Sequence, residues 1–164
     1  MPESTPETLP PDLLPIDTVR HVAGTCLCLH AQRAARALAR RFDAALRPFG
    51  LTNGQFSLMV ALNQPEPPTI GQLAPFLAMD RTTLTAALKP LEGRGWVRVL
   101  PDPADRRSRR VAITPAAAAV LRAALPVWRA EHARLDAAIA PADPAQLRAG
   151  LNGLARAPLS PPGA

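Results

Sequence analysis

Tyrosine is absent from the chain, and aromatic residues of any kind make up only 4% of it. A core with four Phe and two Trp must take most of its volume from Leu, Ala and Val. Leu and Ala favour helices, so a mainly α-helical protein is expected. Cysteine is scarce too: Cys26 and Cys28 are too few and too close for the disulfide framework of a small secreted domain. No apolar run approaches the roughly 20 residues of a membrane span. The N-terminus is acidic and proline-rich, without the basic and apolar regions of a secretory signal. The expected compartment is the cytoplasm, with no membrane partner. A nucleophile with base and orienting partner, a phosphate-cradling glycine loop and paired carboxylates in apolar surroundings are all missing, so neither an enzyme nor a cofactor is expected. His21, His30 and His132 lack close pairing such as H-x-x-x-H, which speaks against a metal site, even with Cys28 added. His132 is expected at a dimer interface.

What is present is positive charge. The net charge is +6, and all but one of the 19 basic residues are arginine. A GC-rich coding sequence would account for much arginine, but not for its distribution. Residues 80–114 carry eight basic groups against four acids, whereas residues 1–15 carry three acids and no base. Charge gathered in one segment points to an anionic partner, nucleic acid before membrane.

Residues 1–15 hold five prolines and little to bury, and read as a disordered arm; residues 157–164 read as a disordered tail. Residues 16–50 form an N-terminal helical region, in which Leu27, Ala31, Ala34, Ala35, Leu38, Phe42, Ala45 and Leu46 recur at helical spacing from about Cys26 to Pro48. Thr52 caps a second helix carrying Phe56, Met59, Val60 and Leu62. A short helix follows from Thr69, with Ile70, Leu73 and Leu77 inward. Asp80 caps the next, RTTLTAALKPLEG. WVRVLP and RRVAI suit two strands around the turn-rich DPADRRS. Thr114-Pro115 opens a long helix with Leu121, Leu125, Trp128, Leu135 and Ile139 on its apolar stripe, and Asp143-Pro144 opens the last one. Two short helices, a tight turn and a basic hairpin make a winged helix-turn-helix domain over residues 51–114. The flanking helices, including those of 115–156, have more apolar surface than so small a module needs. They are expected to serve dimerisation.

On a helical wheel Leu84, Ala87, Leu88 and Leu91 fall on the buried side of the capped helix. Thr82, Thr85, Ala86 and Lys89 fall opposite, with Arg81 and Thr83 at the edges. Such a face suits the major groove of double-stranded DNA, the small residues near base edges and Arg81 and Lys89 near phosphates. A solvated face of an ordinary amphipathic helix has the same pattern, and the accompanying hairpin favours DNA. Pro90 removes a hydrogen bond to the carbonyl of Ala86 and is expected to bend the last turn. In the wing, Arg106, Arg107, Ser108 and Arg109 form a cationic tip suited to a narrow minor groove. Which arginine enters the groove and which holds a phosphate is not decided by the sequence. Asp105 is expected to orient one arginine by a bidentate pair.

The stretch MDRTTLTAALKPLEGRGWVRVLPDPADRRSRRVAIT, with RPFGLTNGQFSLMVAL upstream, resembles the MarR family of bacterial regulators. The resemblance covers most of residues 26–140. It implies a triangular homodimer on a pseudo-palindromic operator, often a repressor, released by a small-molecule effector or an oxidant. By alignment, Cys28 in TCLCLHA falls on the reactive cysteine of the hydroperoxide-sensing branch. That branch holds its thiol with tyrosines, whereas Gln32 and Phe42 stand at those positions here. A buried, inert cysteine is the main expectation and thiol sensing the alternative. An alternative of another class is a dimeric protein-interaction module that does not read DNA.

Overall fold

A computed structural model describes residues 12–157 other than Arg106. The arm and tail expected at the two ends therefore lie largely outside the described residues. The described residues divide into two compact units between Leu38 and Ala39.

The first unit holds helix α1 (Ile16–Thr25) and the start of helix α2 (Leu27–Leu46). Helix α1 is separate from α2, where the sequence reading recognised only the longer helix. Its signal was Ile16, Val19 and Val22 at three-residue spacing after Pro15, all now exposed. Cys26 sits at the break between the helices in an extended conformation. Its Sγ accepts the amide N–H of Leu29 at 3.4 Å, which is how an N-cap satisfies a free helix donor. The expectation of a buried Cys28 is corrected: its side chain is exposed, as are Leu27 and Leu38 of the same helix.

In the second unit α2 contributes the buried Phe42 and Leu46. A 3-10 turn, Arg47–Phe49, ends at Gly50 with φ 68°. A Cβ there would press against the guanidinium of Arg94, whose Nη1 donates to the Gly50 carbonyl at 2.6 Å. Glycine is needed at that position both for the left-handed backbone and for the close approach. Helix α3 (Asn53–Leu62) and helix α4 (Ile70–Phe76) each begin with a full capping box, Thr52 with Gln55 and Thr69 with Gln72. In α3 the inward residues are Phe56, Leu58, Met59, Ala61 and Leu62, while Val60 faces solvent. The helix is apolar on nearly every side, so periodicity alone does not say which of its residues turn inward.

Helix α5 (Arg81–Gly93) follows after a turn in which Ala78 takes φ 51°. Strands β1 (Val97–Pro101) and β2 (Arg109–Ile113) pair antiparallel, with Val99 opposite Val111 and Pro101 opposite Arg109. Helix α6 (Pro115–Ala138) is capped by Thr114, whose hydroxyl also donates to the Gly95 carbonyl at 2.9 Å. Helix α7 (Pro144–Arg156) is capped by Asp143. Leu46, Met59, Leu62, Leu73, Leu84, Leu91, Val97 and Val111 are all less than 2% exposed and form the centre of the core. They come from α2, α3, α4, α5 and both strands. The core thus fixes α5 and the hairpin on one scaffold.

His132, expected at an interface between chains, is half-buried in an aromatic stack within its own chain. Its ring lies 4.6 Å from Phe42 and 4.0 Å from Trp128, which is itself 6.0 Å from Phe56. Beside this stack Glu131 accepts from Arg41 Nε at 2.8 Å and pairs with Arg134. Those charge-assisted bonds, Arg41 first, hold the Glu131 carboxyl below its ordinary range despite its burial.

Candidate nucleic-acid interface

Helix α5 buries Leu84, Leu88 and Leu91, and this fixes what its other side presents. Arg81, Thr82, Thr83, Thr85, Ala86 and Lys89 are all exposed. Asp80 anchors the first turn by accepting the Thr83 amide at 2.8 Å and the Thr83 hydroxyl at 2.6 Å. These bonds, the hydroxyl first, hold the Asp80 carboxyl below the usual carboxylate range. Thr83 is thereby committed to the cap, at the edge of the face. Arg81 and Lys89 wall a hollow of about 340 Å³ whose floor is Thr82, Thr85 and Ala86. Two cations flanking small side chains suit a duplex, with phosphates at the walls and base edges at the floor.

A second cleft, of about 410 Å³, brings the helix and the hairpin together. Ile70 and Gly71 of α4, Arg81 and Thr85 of α5, and Asp105, Arg107, Ser108 and Arg109 of the wing all line it. Of the wing residues singled out from sequence, Arg107, Ser108 and Arg109 therefore share a surface with the recognition helix; Arg106 lies outside the described residues. Ile70 and Gly71 were missed. No sequence signal marks them as lining residues, and a Cβ at Gly71 would meet the Arg81 guanidinium in ordinary contact at 3.5 Å.

Asp105 accepts the backbone N–H of Arg107 at 2.9 Å, a turn contact that shapes the tip. Among the described residues Asp102 and Arg110 form an ion pair at the base of the wing, with Nε to Oδ2 at 3.1 Å. Asp102 is only 6% exposed, and its other oxygen accepts the Ala104 amide at 2.9 Å. The Ala104 bond and then Arg110 hold the Asp102 carboxyl below its ordinary value, against the opposing effect of burial. Arg110 also donates to the Pro67 carbonyl at 3.2 Å, and the Val111 amide donates to Pro68 at 2.9 Å. The base of the wing is thus tied to the loop before α4. Alternation along β2 was the available signal: neighbouring strand residues point to opposite faces, so Arg109 and Arg110 take different roles.

Residues 51–108, the stretch from α3 to the tip of the wing, match the MarR family. The DNA-complexed transcriptional regulator MosR of M. tuberculosis is 37% identical, superposes with a TM-score of 0.72, and matches over 79% of this chain and 93% of its own. The chain belongs to the MarR family. Among curated relatives of this MarR-family chain, the transcriptional repressor NicR of Pseudomonas putida is 29% identical over 77% of both proteins. The transcriptional activatory protein BadR of Rhodopseudomonas palustris is 35% identical over 50% of this chain and 49% of BadR, so the chain spans about half of that relative. The MarR-family chain is a transcription regulator with a winged helix-turn-helix fold and not an enzyme. Among the described residues no helix is long and apolar enough to cross a membrane.

Proposed function

We propose that this MarR-family regulator works as a homodimer that binds a pseudo-palindromic operator, with α5 in the major groove and the wing against the backbone and minor groove of each half-site. The observation that carries it is the shared cleft in which Arg81 and Thr85 of α5 meet Arg107 and Arg109 of the wing. A contiguous cationic surface built from a helix face and a hairpin matches the spacing between a groove and its bordering phosphates. A second copy is supported by apolar stripes left exposed: Ile16, Val19 and Val22 on α1, and Leu147, Leu151 and Leu154 on α7. Repression is the assigned sense, since NicR, a named repressor, matches over most of both chains. A promoter fused to a reporter tests the sense directly, and loss of expression on deleting the regulator would reverse it.

The binding test is a titration of duplex fragments at several salt concentrations. Neutralising several phosphates makes log affinity fall linearly with log salt, by roughly 0.9 per phosphate contact. Arg107→Ala is expected to weaken binding on all sequences and to reduce that slope by about one. Salt-independent binding, or none at low ionic strength, would instead favour a dimeric protein-interaction module. The effector in this proposal is a small organic molecule, tested by its release of bound duplex. Oxidant sensing is the second function to test, because the Cys28 thiol is exposed. A Cys28→Ser variant that keeps the peroxide sensitivity of the wild type would rule it out.

A further inference from the structure

Helix α5 rests on Leu84, Leu88 and Leu91, and apolar contacts of that kind have no preferred direction. They hold the helix to the core without fixing its tilt. Directional contacts gather at its C-terminal end, where the turn after α2 and the starts of β1 and α6 come together. Arg94, the residue that follows α5, donates from Nη1 to the Gly50 carbonyl at 2.6 Å and lays its guanidinium over the Trp96 ring at 4.2 Å. Gly50 is a fixed acceptor, because Leu46 and Leu51 on either side of the 3-10 turn are buried. A Cβ on Gly50 would stand 3.1 Å from Arg94 Nη2, so glycine is what lets the guanidinium lie this close. At the same joint Thr114, the cap of α6, donates from its amide to the Trp96 carbonyl at 3.0 Å and from its hydroxyl to the Gly95 carbonyl at 2.9 Å. Helix α6 is in turn joined to α7 by Asp136 and Arg148, 3.1 Å apart.

We propose that Arg94 is a positioning residue for operator binding: held between Gly50 and Trp96, it fixes the tilt of α5 against α6 and so the half-site spacing that the dimer accepts. The inference rests on the proposed dimer, because α7 carries one of the exposed apolar stripes and α5 is the element that meets the duplex. A dimer addresses half-sites about one helical turn apart. One added base pair turns a half-site by about a tenth of that turn. A rigid joint penalises the change, whereas a loose joint follows it. A guanidinium suits this task, since its face stacks while its edge donates, two restraints that an ammonium does not impose together. The effect is bounded. An exposed cation–π contact is worth about a two- to fivefold change in an equilibrium, and a restraint shifts orientation by no more than it contributes. Arg94 lines neither the hollow on α5 nor the cleft beside the wing, so its action on DNA runs through the helix that it steadies.

The test uses the full-length protein, a duplex selected from a randomised library, and two derivatives with one base pair added or removed between the half-sites. The wild type is expected to prefer the selected spacing over both neighbours. Arg94→Ala and Arg94→Lys should each shrink that preference by about threefold, the scale of the lost contact. The slope of log affinity against log salt should stay as in the wild type. Arg94→Lys keeps the charge, so an effect common to both variants traces to geometry. Arg94 is exposed and both variants should fold, which circular dichroism checks; should the alanine variant not fold, the lysine variant carries the test alone. A folded variant that keeps the wild-type spacing preference overturns the inference, as does equal binding of all three spacings by the wild type. So does a salt slope reduced by about one in Arg94→Ala, which would make Arg94 a phosphate contact. All three of those results leave operator binding standing. Absence of any salt-dependent duplex binding by the wild type overturns the proposed function itself.

Discussion

The winged-helix segment and the helices at the two ends of the chain obey different rules of burial. In the first, α3, α4, α5 and both strands each bury at least one side chain, and several are wholly shielded from solvent. In the second, α1 and α7 bury none, and the α7 leucines keep about half their surface exposed. Apolar burial is the main favourable contribution to folding, so the first region specifies itself and the second is incomplete alone. Contiguous apolar surface on a helix favours association, which removes it from water. In the proposed complex the DNA-reading surface is built within one chain, and the spacing between two such surfaces would depend on the helices that need another.

The largest effect is expected inside the self-specified region. Leu84 is fully buried beneath the exposed threonines of α5. Leu84→Ala is expected to destabilise the protein by about 2–5 kcal/mol, because it removes transfer free energy and leaves a cavity. Denaturant unfolding measures it. A loss below about 1 kcal/mol would mean that α5 is not held by this core. Next comes the opposite kind of change. Leu151→Glu on α7 puts a charge on the stripe without touching a buried residue. It should raise the dimer dissociation constant by tenfold or more while helix content is retained. Sedimentation across a dilution series reads the first and circular dichroism the second. A variant that stays fully dimeric would remove α7 from the interface.

The contrast also explains what was legible from sequence. Caps and turns are local chemistry, so Thr52, Thr69, Asp80, Thr114 and Asp143 each marked a helix start that the structure places at the following residue. The two sides of α5 were legible because one is apolar and the other is not. The inward side of α3 was not legible, because the helix offers no polar side to set its phase. Helix α1 was overlooked because its stripe has only three members. Above all, pairings across the chain left no local trace. Nothing within the wing says that Asp102 chooses Arg110, or that Arg110 reaches Pro67, 43 residues earlier. The ring stack of Phe42, Trp128 and His132 is likewise a product of packing between α2 and α6.

A smaller effect should appear at the base of the wing, and it depends on pH. The Asp102 carboxyl has a lowered folded-state value, so its ionised form favours the folded protein. That contribution is complete above the unfolded carboxylate value of about 4 and is lost as pH falls through the lowered folded value. Asp102→Asn removes the titration and keeps an acceptor for the Ala104 amide. Thermal unfolding followed from neutral to acid pH should show a shallower acid decline in the variant than in the wild type. Parallel curves would assign the acid sensitivity to other carboxylates, with Asp80 and Glu131 the next to substitute.

The smallest expected effect tests whether the self-specified region is free of internal conflict. The turn between α4 and α5 places Ala78 at φ 51°, a left-handed conformation in which a Cβ is unfavourable by roughly 1–2 kcal/mol. Its amide still donates to Pro75 at 3.2 Å, and the Met79 amide donates to Ala74 at 2.9 Å, so the turn is held by α4. Ala78→Gly relieves the steric strain but gives the unfolded chain more freedom, which costs about 0.5–1 kcal/mol. The difference is a stabilisation of up to about 1 kcal/mol, visible as a rise in the denaturation midpoint with an unchanged slope. Operator affinity measured on the same variant separates two uses of the strain. Unchanged affinity means that the turn merely tolerates alanine. Weaker binding by a more stable protein means that the alanine holds α5 at the angle the groove requires, and that stability and DNA reading are set against each other at this residue.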